Sequence, residues 1–391
     1  MGSECAVVWD RSLLDYDLGG EHPLHPIRLE LTIELASALG VLDGVEFVKP
    51  RMATDAELGR VHTSEYLAAV RSAPLTGWEA GHGLGTDDNP IFEQMHDAAA
   101  LIAGGSITAA EQIVSGRADR AVHLAGGLHH AMSDHAAGFC IYNDCAVAIA
   151  WMLDQGVERI AYVDVDVHHG DGVQAAFYDD PRVLTVSLHQ HPLTLWPHTG
   201  FPAETGSGGA EGTAVNIPLP PTADDSSWLR AFHAVVPSVL AEFRPQVLVT
   251  QCGADAHKDD PLADLMLSVD GQRACYQALR ECAQNYAAGK WLALGGGGDS
   301  LFRVVPRAWT HLLATTLDRD LDPQTTIPED WIARAVHAGH NVPLPTAMTD
   351  GVQPSFTPWD GVTETPVDTG VRDVRHAVFP SYGLDPADAR D

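Results

Sequence analysis

Short apolar runs separated by helical patterns constrain the fold of this 391-residue chain most strongly. Several runs are rich in β-branched residues and none alternates strictly with polar residues, as is typical of strands buried on both faces of a sheet. The runs are residues 5–9, 121–124, 160–167, 183–188, 247–250 and 291–294. The helical patterns fall at residues 26–39, 98–114, 146–153, 228–243, 275–288 and 301–316. This alternation predicts one α/β domain with a parallel sheet flanked by helices.

The formal charge of −30, from 23 basic and 53 acidic residues, argues against nucleic-acid and anionic-membrane partners. Such a charge attracts cationic substrates, although solubility alone also explains it, and we favour solubility. The six cysteines show no C-x-x-C pair or disulfide spacing. The first residues lack the pattern of a signal peptide, and no apolar run approaches membrane-spanning length. These features predict a cytoplasmic protein.

Polar residues that can do chemistry follow five of the apolar runs. Ligands bind at the carboxyl ends of strands in an open parallel sheet, so these residues should meet at one edge. They are the Gly-Gly-Leu-His-His segment at 126–130, the acidic and histidine residues up to 171, His189 and His191, Asp255, and the four glycines at 295–298.

Residues 164–172, Asp-Val-Asp-Val-His-His-Gly-Asp-Gly, predict half of a divalent-metal site. In a strand, Asp164, Asp166 and His168 would point the same way. A buried strand that ends in a polar turn would not explain two acids within an apolar run, because unpaired buried carboxylates are costly. Asp255 follows a neighbouring strand and fits as the third ligand, although alone it could equally cap a helix. Two carboxylates and one imidazole suit Zn²⁺ or Fe²⁺.

The tandem pair His129-His130 follows two glycines that let the backbone approach a bound group closely. Imidazoles act as general bases and as electrostatic stabilisers near neutral pH. Carboxylates bonded to the imidazoles would fix their tautomers, and Asp164 and Asp171 are the available partners.

These motifs, in this order, resemble those of the zinc-dependent histone deacetylases. The resemblance includes residues 138–140, 143–144, 251–255 and 294–298, and the segment His-Pro-Leu-His-Pro-Ile-Arg-Leu at 22–29. It covers roughly residues 5 to 318 and is strongest to the bacterial acetoin-utilization (AcuC-type) branch. The resemblance implies the arginase–deacetylase fold for residues 1–318. Residues 319–391 form a Pro-, Asp- and Thr-rich extension, which we expect to pack on the domain or trail from it.

The resemblance also assigns roles to individual residues. It implies that Asp166, His168 and Asp255 bind Zn²⁺, that His130 with Asp171 is the general base, and that His129 with Asp164 stabilises charge. For the substrate site it implies an acyl-lysine tunnel walled by Phe139 and Trp196 and bordered by Gly138 and Gly297, a rim carboxylate at Asp88, and an internal acetate channel at Arg28. A structural K⁺ would be bound by Asp164, Asp166, His168, Ser187 and Leu188. Without the resemblance, Phe139, Trp196 and Arg28 would be read as packing or salt-bridge residues.

One position departs from the family pattern: Asp299 follows the four glycines, where the family has tyrosine or, in one weakly active group, histidine. An ionised aspartate cannot donate to the oxyanion, and loss of one such donor costs about 100- to 1,000-fold in rate. The protein could be a weak or inactive deacetylase, or Asp299 could be held protonated. Alternatively, Asp299 could pair with His198, another departure from the family, and His198 would then be the donor.

The sequence therefore predicts a metal-dependent amidohydrolase that acts on an acyl-lysine protein or a small acylamine. The alternative is a metal-binding protein that recognises acyl-lysine or a partner without turnover. An arginase-like guanidine hydrolase is disfavoured, because that class is typified by two metals held by a carboxylate-rich site.

Overall fold

The computed structural model describes residues 5–20, 22–339, 343–362 and 364–391, and an eight-stranded parallel sheet organises them. The strands are β1 (Cys5–Val8), β2 (Phe47–Val48), β3 (Arg120–His123), β4 (Ile160–Asp164), β5 (Val183–Gln190), β6 (Ala214–Leu219), β7 (Val247–Gln251) and β8 (Trp291–Leu294). Their order across the sheet is β2-β1-β3-β8-β7-β4-β5-β6, and every pairing is parallel. The predicted α/β class with a parallel sheet is confirmed.

Helices surround the sheet and bury its faces. They are α1 (Ile27–Ala38), α2 (Asp55–Leu58), α3 (Ser64–Thr76), α4 (Met95–Val114), α5 (Asp144–Asp154), α6 (Asp171–Ala176), α7 (Asp225–Phe243), α8 (Val269–Tyr286), α9 (Val305–Thr316), α10 (Glu329–His337) and α11 (Pro366–Val378). Two clusters of buried apolar side chains form the core. No helix in the described ranges combines the length and apolar character needed to cross a membrane.

All six predicted strands are present, and two further strands, β2 and β6, were not predicted. β2 has only two residues, which is too short to give a sequence pattern. β6 lies at the sheet edge and contains Asn216 and Pro218, residues that are uncommon in strand interiors.

The strand predicted over 160–167 ends earlier, at Asp164. The Asp164 Oδ1 atom accepts the Asp166 backbone N–H at 3.1 Å, which turns the chain out of the sheet. Asp166 and His168 therefore project from a loop, not from alternate positions of a strand. β7 does lie beside β4, as expected from the proposed pairing of Asp255 with this segment.

The C-terminal extension packs against the rest of the chain. The Trp331 indole N–H of α10 donates to the Leu31 carbonyl of α1 at 2.9 Å, and α11 contacts α7 and β6. The Asp350 carboxylate forms an ion pair with the buried Arg307 side chain at 2.9 Å and lies 2.7 Å from Nε2 of the buried His257. The extension therefore contacts α1, α7, α9 and β6, and His257 joins it to the loop that follows β7.

Candidate active site

Asp166, His168 and Asp255 converge beyond the carboxyl ends of β4 and β7, and each brings a ligand atom within 4.8 Å of the others. His168 Nδ1 lies 3.1 Å from Asp166 Oδ1 and 3.3 Å from Asp255 Oδ2. These are the three residues that the sequence suggested as metal ligands.

The other oxygen of each carboxylate is fixed from behind. Asp166 Oδ2 accepts from the Gln251 side-chain amide at 2.7 Å and from the Gly297 N–H at 2.8 Å. Asp255 Oδ1 accepts the Val167 N–H at 2.8 Å. These hydrogen bonds hold Asp166 Oδ1 and Asp255 Oδ2 toward the His168 ring.

The donor set fits a divalent cation. Asp166 and Asp255 are each only 1% exposed, and burial together with the Asp166 charge raises the pKa of Asp255 well above its usual range. Two buried carboxylates that repel each other in this way are stabilised by a cation between them. Carboxylate and imidazole ligands suit Zn²⁺ or Fe²⁺.

The tandem histidines lie beside this cluster, and each is paired with a carboxylate. His129 Nδ1 is 2.6 Å from Asp164 Oδ2, and His130 Nδ1 is 2.7 Å from Asp171 Oδ1. The predicted pairs of His129 with Asp164 and of His130 with Asp171 are therefore both formed. Since an ionised carboxylate only accepts, Nδ1 of His130 is the donor, and its Nε2 atom can accept a proton.

The two imidazoles have pKa values shifted in opposite directions. Burial opposes charge on His129, but the carboxylates of Asp164 and Asp166 outweigh it and raise the pKa to about 9. Burial and the neighbouring His129 charge lower the pKa of His130 to about 4. These opposite shifts favour a protonated His129 and a neutral His130 near neutral pH.

Two residues that were not among the predicted site residues hold the histidine loop. The Asp144 carboxylate accepts the N–H groups of Gly127 and Leu128, and the Asn143 amide donates to the His129 carbonyl at 3.0 Å. Gly127 has a φ of 96°, and a Cβ there would lie 2.4 Å from the Gly295 carbonyl oxygen. The Asn-Asp pair at 143–144 was a visible motif, but nothing in the sequence linked it to this loop.

A cavity of about 300 Å³ leads to the cluster. Its lining includes the predicted residues Asp88, His129, His130, Gly138, Phe139, Asp166, His168, Trp196, Asp255, Gly297 and Asp299. The Trp196 ring centroid lies 4.6 Å from that of His130 and 6.2 Å from that of His168. A Cβ on Gly138 would meet both the His130 and the Trp196 rings within 2.6 Å, so this position must be glycine.

Phe139 lines the cavity with a φ of 70°, which is unusual for a residue with a side chain. The Tyr16 hydroxyl supports this turn, since it donates to the Phe139 carbonyl at 2.7 Å and accepts the Ile141 N–H at 3.1 Å. Sequence analysis missed Tyr16, which lies more than 120 residues away along the chain.

Asp88 lies at the surface of the protein, and Arg28 lies in its interior. Asp88 is exposed at the cavity lining, as expected of a rim residue. Arg28 is buried and outside this lining; it donates to the Gly298 carbonyl at 3.1 Å and stacks 5.0 Å from the Trp309 ring centroid.

Asp299 lies in the cavity lining, but its carboxylate is poorly satisfied. Its N–H donates to Asp260 Oδ2 at 2.8 Å, and its own buried Oδ1 atom accepts no hydrogen bond from the described residues. Burial and the Asp260 carboxylate raise the pKa of Asp299 to about 7, although Arg28 opposes the shift. The shift favours the neutral form of the Asp299 carboxyl compared with an exposed aspartate.

The structure does not bring His198 to Asp299. His198 is exposed, lies outside the cavity lining, and its Nδ1 atom is bonded to the Pro192 carbonyl at 2.8 Å. The left-handed backbone at His198, with a φ of 66°, accompanies this orientation of the ring toward its own loop. The suggested Asp299–His198 pair is thus not formed.

The comparisons with known proteins agree with this geometry. The Histone deacetylase domain model matches residues 22–316. The acetoin utilization protein AcuC of Bacillus subtilis is 42% identical over 332 residues, covering 84% of this chain and 85% of that protein, and AcuC of Staphylococcus xylosus is 37% identical, covering 84% and 86%.

Two solved structures share the fold. A histone deacetylase homologue from Aquifex aeolicus superposes with a TM-score of 0.82 at 28% identity, covering 95% of this chain and all of that one. A homologue complexed with SAHA gives a TM-score of 0.77 at 30% identity, covering 86% and 89%. The sheet is therefore that of the arginase–deacetylase fold, and the chain belongs to the histone deacetylase family.

Proposed function

We propose that this protein is a metal-dependent amidohydrolase that removes acyl groups, acetyl among them, from lysine side chains or related amines. The observation that carries the proposal is the pairing of His130 with Asp171 in one cavity with the converging Asp166, His168 and Asp255. A homologue of known structure is complexed with SAHA, which supports a ligand-binding role for the same cavity here.

Asp166, His168 and Asp255 would hold Zn²⁺, with Fe²⁺ as the alternative. Such a metal polarises a carbonyl oxygen and lowers the pKa of water. A structural K⁺ at Asp164, Asp166, His168, Ser187 and Leu188, and an acetate channel at Arg28, are further proposals that rest on the family resemblance.

His130 accepts the proton of the attacking water at Nε2 and then gives it to the leaving amine. Asp171 holds the Nδ1 proton and so keeps the ring in the required tautomer. The His129 cation, paired with Asp164, stabilises the negative charge that develops on the acyl oxygen.

The apolar part of the cavity suits an aliphatic side chain. Phe139 and Trp196 would flank the methylene groups of a lysine, and the absence of a Cβ at Gly138 gives that chain its width. Asp88 at the rim would bind the substrate backbone. We propose a cytoplasmic protein that acts on such substrates and not on nucleic acid or membrane.

A second candidate function, acyl-lysine recognition without turnover, is favoured by Asp299. This side chain offers no tyrosine hydroxyl to the oxyanion, and its ionised form repels the developing charge. The neutral form, which burial favours, can donate instead, and this supports residual activity.

The test is an activity screen of the purified protein loaded with Zn²⁺ or Fe²⁺, using acetyl-, longer acyl- and trifluoroacetyl-lysine peptides. The activated trifluoroacetyl amide reports hydrolysis even with a weak oxyanion donor. We expect one transition metal per chain and turnover that is lost in His130→Ala. Metal uptake without hydrolysis of any amide would select the second candidate, and two metals per chain would favour arginase-like chemistry.

A further inference from the structure

The C-terminal extension reaches the loop that carries Asp255 through one carboxylate, that of Asp350. Asp350 Oδ2 accepts from His257 Nε2 at 2.7 Å and from the Val269 N–H at 3.0 Å. Its Oδ1 atom pairs with the Arg307 guanidinium at 2.9 Å. These three donors lie in the loop after β7, at the start of α8 and in α9. The Asp350 carboxylate therefore joins three segments that lie outside the extension.

The backbone that carries Asp350 is itself fixed. Met348 is fully buried, and its carbonyl accepts from His311 Nε2 at 2.7 Å. The Thr349 hydroxyl and the Asp350 N–H both donate to the buried Asp270 carboxylate, at 2.7 and 2.8 Å. Since α8 and α9 supply these partners, the Asp350 carboxylate has a defined position relative to both helices.

The His257 ring connects this carboxylate to the backbone of the loop after β7. Its Nδ1 atom accepts the Asp259 N–H at 2.9 Å, and a backbone N–H can only donate. The ring proton therefore lies on Nε2 and is donated to Asp350. Because the His257 side chain is fully buried and bonded at both nitrogens, its tautomer and its orientation are both fixed.

The loop that His257 stabilises has cavity residues at both of its ends. We call residues 255–260 the Asp255 loop. Asp255 begins it and lines the catalytic cavity. Asp260 ends it, donates its N–H to the His257 carbonyl at 2.9 Å and accepts the Asp299 N–H at 2.8 Å. A displacement of His257 would therefore be passed to Asp255, two residues away, and to Asp260.

We propose that Asp350 is a positioning residue for metal binding. Through His257 it fixes the Asp255 loop and so keeps Asp255 Oδ2 beside His168, in the proposed ligand cluster. The inference rests on the proposed metal-dependent function, in which Asp255 is a ligand. Groups that orient metal ligands typically contribute 10- to 100-fold in metal affinity. Asp350 acts through a further residue, so we expect about 10-fold, the lower end of that range.

The test measures the Kd of the full-length protein for Zn²⁺ by competition with a chelator. Asp350→Asn keeps the size of the side chain but leaves one acceptor oxygen where three donors converge, so Kd should rise about 10-fold. Asp368→Asn is the matched control. It removes another buried carboxylate of the extension, paired with Arg230 at 2.7 Å on α7, far along the chain from the Asp255 loop. The control should lower Tm and leave Kd unchanged.

His257→Phe tests the connection itself and serves also if Asp350→Asn does not fold. It removes both hydrogen bonds of the ring, whereas Arg307 and Val269 still hold Asp350. Kd should rise by a similar factor, and adding Asp350→Asn to His257→Phe should cause no further rise, because the two residues act in series.

A parental Kd in His257→Phe, or effects of the two substitutions that multiply in the double variant, would overturn the positioning role of Asp350. Either result leaves the proposed function standing, since the parent protein still binds metal. A parent protein that binds no transition metal would overturn the proposed function itself.

Discussion

The catalytic cavity has two unlike walls. The wall built from the loops after β3, β4 and β7 carries Asp166, His168 and Asp255 with His129 and His130, and each of these side chains has polar partners at 2.6–3.3 Å. The wall formed by the loop after β8 carries Asp299, whose Oδ1 atom has no hydrogen-bond partner in the described residues. One wall is fixed by its own hydrogen bonds, and the other leaves an acceptor unpaired.

The contrast shows which residues of such a site can be substituted without disturbing the other side chains of the cavity. A substitution among the metal-side residues would leave a buried charge or donor unpaired, because every oxygen there is shared. Among the described residues, no hydrogen bond joins the Asp299 side chain to these residues, and its backbone N–H donates to Asp260. A new side chain at 299 therefore alters the chemistry of the cavity while the metal-ligand geometry persists.

Asp255→Asn should have the largest effect. The amide removes one of the two negative charges that hold the cation, so we expect less than one metal per chain and a loss of activity greater than roughly 10⁴-fold. Elemental analysis and peptide deacylation measure both. Asp259→Asn, at a neighbouring acid that pairs with Arg303, is the control and should retain metal and activity. Full metal occupancy in Asp255→Asn would show that Asp166, His168 and Asp255 do not form the metal site.

His130→Ala should lower kcat by about 10²- to 10⁴-fold without loss of metal, because it removes the base and no ligand. Asp171→Asn should cost less, about 10- to 100-fold, since the ring remains. His135→Ala, at a half-exposed histidine in the same loop, should leave kcat unchanged. Unaltered turnover in His130→Ala would show that another residue is the general base.

Asp299→Tyr should raise activity toward acetyl-lysine, by about 100- to 1,000-fold in kcat, because it returns a hydroxyl donor to the oxyanion. Asp299→Phe carries the same ring without the hydroxyl and should give no gain. Equal activity of the two variants would mean that the side chain at position 299 affects the shape of the cavity and does not donate a hydrogen bond.

The pH profile should show the smallest effect. With a pKa near 7, Asp299 is neutral and able to donate below that pH and ionised above it. Activity on acetyl-lysine should therefore fall about fivefold between pH 7 and 8, the ratio of the neutral fractions. Asp299→Asn should flatten the acetyl-lysine profile in this range; a fall that persists would assign it to another group.

Most residues of the wall that carries Asp166, His168 and Asp255 could be predicted, because they come directly after strands of the sheet in the sequence. Asp166 and Asp255 come just after β4 and β7, and strands that are recognisable by their apolar runs bring such residues together. The strand boundary was wrong by three residues, since the turn at Asp164 depends on a side chain-to-backbone hydrogen bond. The proposed ligand set did not depend on this boundary. A strand that ends at residue 164 and one that ends at residue 167 both put Asp166 and His168 at the same edge of the sheet.

The supporting contacts could not be predicted, because they join segments far apart in the chain. Tyr16 holds the turn at Phe139, and Asp144 holds the turn at Gly127. The pairing of His198 with Asp299 failed for the same reason. The sequence placed both residues in loops near the cavity, but the direction of the His198 ring is set by the local path of its loop toward Pro192.

The contacts of Asp350 with His257 and Arg307 attach the C-terminal extension to helix α9 and to a residue only two positions after Asp255, the third proposed metal ligand. A shortened version of the protein that stops near residue 318 would leave the buried Arg307 without its counter-charge and the buried His257 without its hydrogen-bond partner. Anyone trimming the chain for crystallisation or assay should thus keep the extension, since discarding it would disturb the loop that carries Asp255.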